Sequence, residues 1–197
     1  MKTLIIFLIL VTAPFSYSCT HNETSKECNH ELNNEHQCHW STLEYSFRSG
    51  TMPPPYFYSY NIFINSDDAS GFLKYAFDYS QEDNPPLEYK LTFSEEQMGK
   101  LNEAIKESKV LCKEIEAVPD SLQPIGGSVQ NVKTTIVDPN PNLDQPPRII
   151  ETPYFPIEEC KEDLENLYET INKLVPENIW KEIKTKKDEY IKMYEDN

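Results

Sequence analysis

The chain has 197 residues and a formal net charge of -15, with 33 acidic side chains against 18 basic ones. Such a surface repels phosphate backbones and anionic lipid headgroups, because affinity for nucleic acid rests on Lys and Arg neutralising phosphates. Composition therefore argues against nucleic acid as a partner, and the length suits one domain of moderate size.

The first 18 residues have the three parts of a secretory signal. Lys2 supplies the positive start, Leu4 to Val11 form an unbroken apolar run, and Ala13, Ser16 and Ser18 are the small residues a signal peptidase accepts. Crossing a bilayer takes about 20 apolar residues, so this run, which also meets Pro14, is too short to serve as an anchor. Residues 1–18 are expected to be removed and the remainder exported.

Five cysteines follow, at positions 19, 28, 38, 112 and 160, and an odd number leaves one thiol over in an oxidising compartment. Ser16-Tyr17-Ser18-Cys19 resembles the lipobox of bacterial lipoproteins, with Ser16 where Leu is usual and Tyr17 at a position that usually holds a smaller residue. The resemblance implies a diacylglyceryl group on Cys19, hence a membrane anchor. With Thr20 next in the chain it also implies delivery to the outer membrane of a Gram-negative cell. The alternative is a freely secreted or periplasmic protein. Four cysteines then remain as disulfide candidates, and Cys28 with Cys38 and Cys112 with Cys160 is the preferred pairing of three arrangements. Two reduced, buried thiols are the other outcome for the second pair.

Residues 19–40 are rich in Asn, Glu, His, Thr and Ser and hold almost no apolar side chain, so they are expected to be a disordered tether. From Ser41 the pattern alternates with period two through Leu43, Tyr45 and Phe47, then breaks at Gly50 and Pro53-Pro54-Pro55. Further strands are predicted over 56–65, over 72–79 after the turn at 66–71, and over 87–93. Ser94 and Gln97 form a capping-box pattern before a helix carrying Met98, Leu101 and Ile105. Strands at 129–137 and 148–152 come next. Ile157, Cys160, Leu164, Leu167, Ile171 and Leu174 then mark a helix, and a last one starts near Pro176. Residues 41–197 thus read as a single α+β domain, an antiparallel meander sheet packed with about three helices. The series Pro53-Pro54-Pro55-Tyr56, capped helix, Ile125-Gly126-Gly127-Ser128 resembles uncharacterised bacterial domains, which implies a fold more than a function.

All four histidines, at 21, 30, 36 and 39, lie in the tether. Imidazole and thiolate suit zinc and copper, so His30, His36, Cys38 and His39 are candidate metal ligands, although their spacing fits no standard finger and a polar tether is the simpler reading. No histidine follows His39, which leaves a Ser-His-Asp or Cys-His arrangement without a base in the domain. The five glycines form no phosphate-binding loop, so neither a nucleotide nor any other cofactor is expected. Paired carboxylates acting on an envelope glycan are the one catalytic chemistry left open.

Tyr56, Tyr58 and Tyr60 fall on one face of the predicted aromatic strand, as a ligand platform would need. A sheet face covered by the two C-terminal helices is the favoured alternative. The sequence as a whole reads as an exported, lipid-anchored envelope protein that binds another macromolecule rather than turning over a substrate. A basic protein partner would suit its charge. Carboxylate catalysis on glycan and metal capture by the tether are the competing readings.

Overall fold

A computed structural model describes residues 39–79, 84–112, 114–137 and 146–196. They form one antiparallel sheet in the order β4-β3-β2-β1-β5-β6. Its strands are β1 (His39–Arg48), β2 (Ser59–Asn65), β3 (Ser70–Ala76), β4 (Leu87–Thr92), β5 (Val129–Val137) and β6 (Arg148–Glu151). The helices are α1 (Glu95–Ser108), α2 (Glu158–Leu174) and α3 (Glu177–Glu195). The α+β class and the meander through β1–β4 are present, as the alternating patterns require. After α1 the chain returns to the far side of β1, so β1 lies between β2 and β5 rather than at an edge.

Alternation decides which face is buried. Leu43, Tyr45, Tyr60, Ile62, Ile64, Leu73, Tyr75 and Val132 point to one side and enter a single core with all three helices. β1 starts two residues before the alternation becomes visible. Trp40 and Thr42 oppose the consecutive residues Ile136 and Thr135, so Ser41 is an extra residue, a bulge that changes the parity of the strand. Trp40 thereby joins the same core face as Leu43, and its indole donates to Asn102 Oδ1 of α1 at 2.9 Å.

β2 starts at Ser59, not Tyr56. Prolines 53–55 have no N–H to give a sheet, and the Tyr56 amide turns back to Pro53 O at 2.9 Å, closing a loop instead of extending a strand. The peptide bond between Pro54 and Pro55 is cis. Gly50, at φ +90°, supports this loop in a second way. A Cβ there would run into the carbonyl of Gly127, so the proline loop and the loop before β5 touch backbone to backbone.

The capping box opens α1 as the sequence predicts: Ser94 Oγ accepts from the Gln97 amide at 3.2 Å and Gln97 Oε1 accepts from the Ser94 amide at 2.9 Å. α2 buries Cys160, Leu164, Leu167, Tyr168, Ile171 and Leu174, a full apolar stripe. Each large side chain of that kind contributes about 1.5–3 kcal/mol when taken out of water. α3 is different, since Ile183 is its one fully buried residue, with Ile179, Trp180 and Tyr190 half-covered.

Cys160 is buried, and no disulfide joins it to Cys112, which is exposed just beyond α1. Cys19, Cys28, Cys38, His30 and His36 lie outside the described residues. His39 is exposed at the start of β1, with Nε2 3.9 Å from Asp67 Oδ1. Among the described residues no helix is long and apolar enough to cross a membrane, and no three His, Cys, Asp or Glu side chains gather where they could hold a metal.

Candidate functional site

Tyr56, Tyr58 and Tyr60 do not share one surface. Tyr60 is 9% exposed, its ring 5.0 Å from Phe47 and edge-on to Trp180 of α3 at 5.2 Å. Its hydroxyl donates to Asn172 Oδ1 of α2 at 2.9 Å. Tyr58 is half-buried, stacked between Phe47 and Tyr75, and the Lys187 ammonium of α3 sits 3.6 Å from the centre of its ring. Burial pushes that lysine below its ordinary range. The two C-terminal helices therefore cover the sheet's aromatic face, and Tyr56 alone of the three looks outward, at 40% exposure.

Burial has a uniform effect on the covered hydroxyls. It pushes Tyr45, Tyr60 and Tyr75 above the ordinary tyrosine range and Tyr168 up to about 12. Tyr45 donates to Gln130 Oε1 at 2.8 Å and Tyr60 to Asn172 Oδ1 at 2.9 Å, and Tyr168 shares a hydrogen bond with Thr152 Oγ1 at 3.1 Å. This is a satisfied polar layer inside an aromatic core.

Tyr56 belongs instead to a corner where the proline loop, the end of β3 and the last turns of α3 meet. Its hydroxyl donates to Glu195 Oε1 at 2.7 Å. That bond, more than any burial, pushes the Tyr56 hydroxyl above its ordinary range. Tyr79, just past β3, stacks on buried Phe57 with ring centres 3.8 Å apart and donates its hydroxyl to Met52 O at 2.9 Å. Tyr190 of α3 donates to Asp78 Oδ2 at 2.8 Å and stacks on Phe77, and its hydroxyl is pushed up to about 12, first by burial and then by this bond. Sequence distances of more than 100 residues are closed by side-chain bonds to carboxylates.

The corner presents apolar and aromatic surface to solvent. Tyr79 is 54% exposed, Tyr194 52%, Met193 66% and Met52 42%. Ile125, fully exposed, stands two residues from Gly127, where the neighbouring loop touches Gly50. Isolated exposed apolar residues are ordinary, whereas a contiguous group of them is what binding surfaces commonly show. Tyr and Met suit such a surface because one offers a rigid ring with a polar tip and the other adapts its shape.

Two other places were candidates for chemistry. A cleft of about 650 Å³ lies at the elbow between α2 and α3, beside Trp180, Asn172 and Gln97. Its polar groups are already committed: Asn172 accepts from Tyr60 and donates to Tyr168 O at 2.8 Å, and the Trp180 indole donates to Asn172 O at 3.3 Å. On the open face of the sheet, Glu44 and Glu151 accept from Asn61 and Asn131 at 3.1 and 2.9 Å. Among the described residues no Asp or Glu is buried, the setting that keeps a carboxylic acid protonated for catalysis.

No protein-family model matches the chain, and no curated protein matches it. The corner thus stands on its own geometry. Sequence reasoning reached Tyr56 but missed Tyr79, Asp78 and Glu195. Alternation carries the predicted strand through Tyr79, whereas β3 ends at Ala76 and frees the next three residues to turn. Nothing in the sequence ties Glu195 to Tyr56, since only the docking of α3 brings them together.

Proposed function

We propose that this protein is an exported envelope protein, anchored by lipid on Cys19, whose α+β domain is a binding module that contacts another protein through the corner at Tyr56, Tyr79 and Tyr194. One observation supports this above the others: large exposed rings and methionines collect where three segments of chain are laced together by hydrogen bonds. A surface fixed in this way loses little conformational entropy on binding. The competing use of the domain, glycan cleavage by two carboxylates, has no comparable support, since no described Asp or Glu is buried. A tether of about 20 residues after Cys19 would let the corner reach partners near the membrane.

Two measurements test the two parts. Intact mass of the protein extracted from membranes should equal the chain from Cys19 onward plus acyl groups; an unacylated mass removes the anchor. A photo-crosslinking residue placed at Tyr194 should yield a discrete adduct in cells, and one at Val137, exposed at the opposite end of β5, should not. Equal labelling from both positions, or none from 194, refutes the corner as a contact surface.

A further inference from the structure

The corner carries charge as well as apolar surface. Asp78 Oδ2 and Glu195 Oε1 each accept a hydrogen bond from a tyrosine hydroxyl, and Asp78 Oδ1 also accepts from the Tyr79 backbone amide; all three donors are neutral and leave the negative charge in place. Among the described residues neither has a Lys or Arg within ion-pair distance; the described pairs of lysines with carboxylates run along single helices, as in Lys181 with Glu177 and Lys186 with Glu182. Lys192 lies one turn before Glu195 and makes no ion pair with it. A carboxylate has about four lone-pair positions, so both groups keep acceptor capacity after the tyrosines are served.

Tyr79 supplies the other half of the site. Phe57 covers one face of its ring at 3.8 Å, and its 54% exposure leaves the other face to solvent, next in the chain to Asp78. An exposed aromatic ring on the same corner as carboxylates that no described Lys or Arg pairs is an arrangement that attracts an organic cation, through the ring quadrupole and a charge-assisted hydrogen bond together. We infer that the corner takes an arginine or lysine side chain of the partner protein, laid on the open face of Tyr79 with Asp78 and Glu195 as its counter-charges. This rests on the corner being the contact surface and adds which chemistry it selects. The chain already shows the same contact internally, where Lys187 sits over Tyr58. An acidic partner would meet repulsion from the same two groups and from the net charge of -15.

The test is an NMR titration of the purified full-length protein, held in neutral detergent, with a tetra-arginine peptide and with the same peptide built from citrulline, which keeps the shape and loses the charge. The arginine peptide should shift Tyr79, Tyr56 and Tyr194 saturably, at least about tenfold more tightly than the citrulline peptide, and more weakly as salt rises. The double variant D78N/E195Q keeps an acceptor oxygen for each tyrosine hydroxyl, although D78N gives up the acceptor that serves the Tyr79 amide, so its fold is checked by circular dichroism; it should bind at least about tenfold more weakly. The reference variant E103Q/E165Q removes the same charge from exposed positions on α1 and α2 and should bind as the parent does. Equal weakening in both variants, or shifts spread along α1 and α2, means general charge attraction and overturns the proposal. If the arginine peptide leaves the corner unmoved while position 194 still crosslinks a partner, cation recognition falls and the contact surface survives. If both are silent, both fall.

Discussion

Replacing Tyr60 separates a covered aromatic face from an open platform. In the structure this ring is 9% exposed, lies 5.0–5.9 Å from the rings of Phe47, Trp180, Tyr45 and Tyr75, and hydrogen-bonds to Asn172. Tyr60→Phe keeps the packing and removes one donor, leaving the half-buried Asn172 Oδ1 unpaired, a loss of about 1–2 kcal/mol. Tyr60→Ala removes the ring and opens a cavity between sheet and helices, with an expected loss of about 3–5 kcal/mol. Urea unfolding followed by far-ultraviolet circular dichroism measures both as shifts of the midpoint at an unchanged slope. Tyr56→Phe, at the exposed corner, should leave the midpoint where it is. If Tyr60→Ala cost less than about 1 kcal/mol, the ring would not be core, and the covering of the sheet by α3 would be wrong.

Alkaline pH should unfold the protein through the same layer. Unfolded tyrosines lose their protons near pH 10, whereas burial holds Tyr45, Tyr60, Tyr75 and Tyr168 protonated above that value in the fold, so the unfolded state binds fewer protons. Stability is then complete below about pH 10 and falls above it by up to about 1.4 kcal/mol per pH unit for each of the four; unfolding midpoints that stay level from pH 9 to 11 would contradict this. Gly71→Ala should destabilise by at least roughly 1–3 kcal/mol, because a Cβ there collides with the carbonyl of Phe63 on the paired strand. A thermal midpoint equal to the parent's would show that β2 and β3 are not so closely paired.

Local periodicity made most of the fold legible. Strand and helix patterns each bury one face, and positions such as Leu43, Tyr45, Leu164, Leu167 and Ile171 repeat at the spacing of their element whatever lies opposite. The misses fall where a backbone device changes the count. The bulge at Ser41 puts Trp40 and Leu43, three residues apart, on one face, so a strict alternation places the start of β1 too late. The prolines before Tyr56 remove amide donors that β2 would need, so aromatic richness alone extended the strand too far. Strand order across β1 and β5 is a long-range pairing, which single-chain periodicity does not encode.

The candidate site was legible only in part, for a related reason. Tyr56, Tyr58 and Tyr60 are indistinguishable as a sequence pattern, yet they meet different fates because Tyr56 turns back in the proline loop ahead of β2 while the helices cover Tyr60 and half-cover Tyr58. α3 docks less by buried apolar area than α2 does, and more by directed contacts: Tyr89 to Glu182 Oε1 at 3.0 Å, Tyr190 to Asp78, Tyr56 to Glu195, and Lys187 over Tyr58. Such contacts contribute modestly to stability but fix orientation, so the last turn of the helix is held at the sheet's end rather than sunk into the core. Met193 and Tyr194 of that last turn are 66% and 52% exposed. A helix attached in this manner makes the exposed corner a consequence of how the core is closed: had α3 carried a second buried stripe like that of α2, the same rings would have been spent on packing.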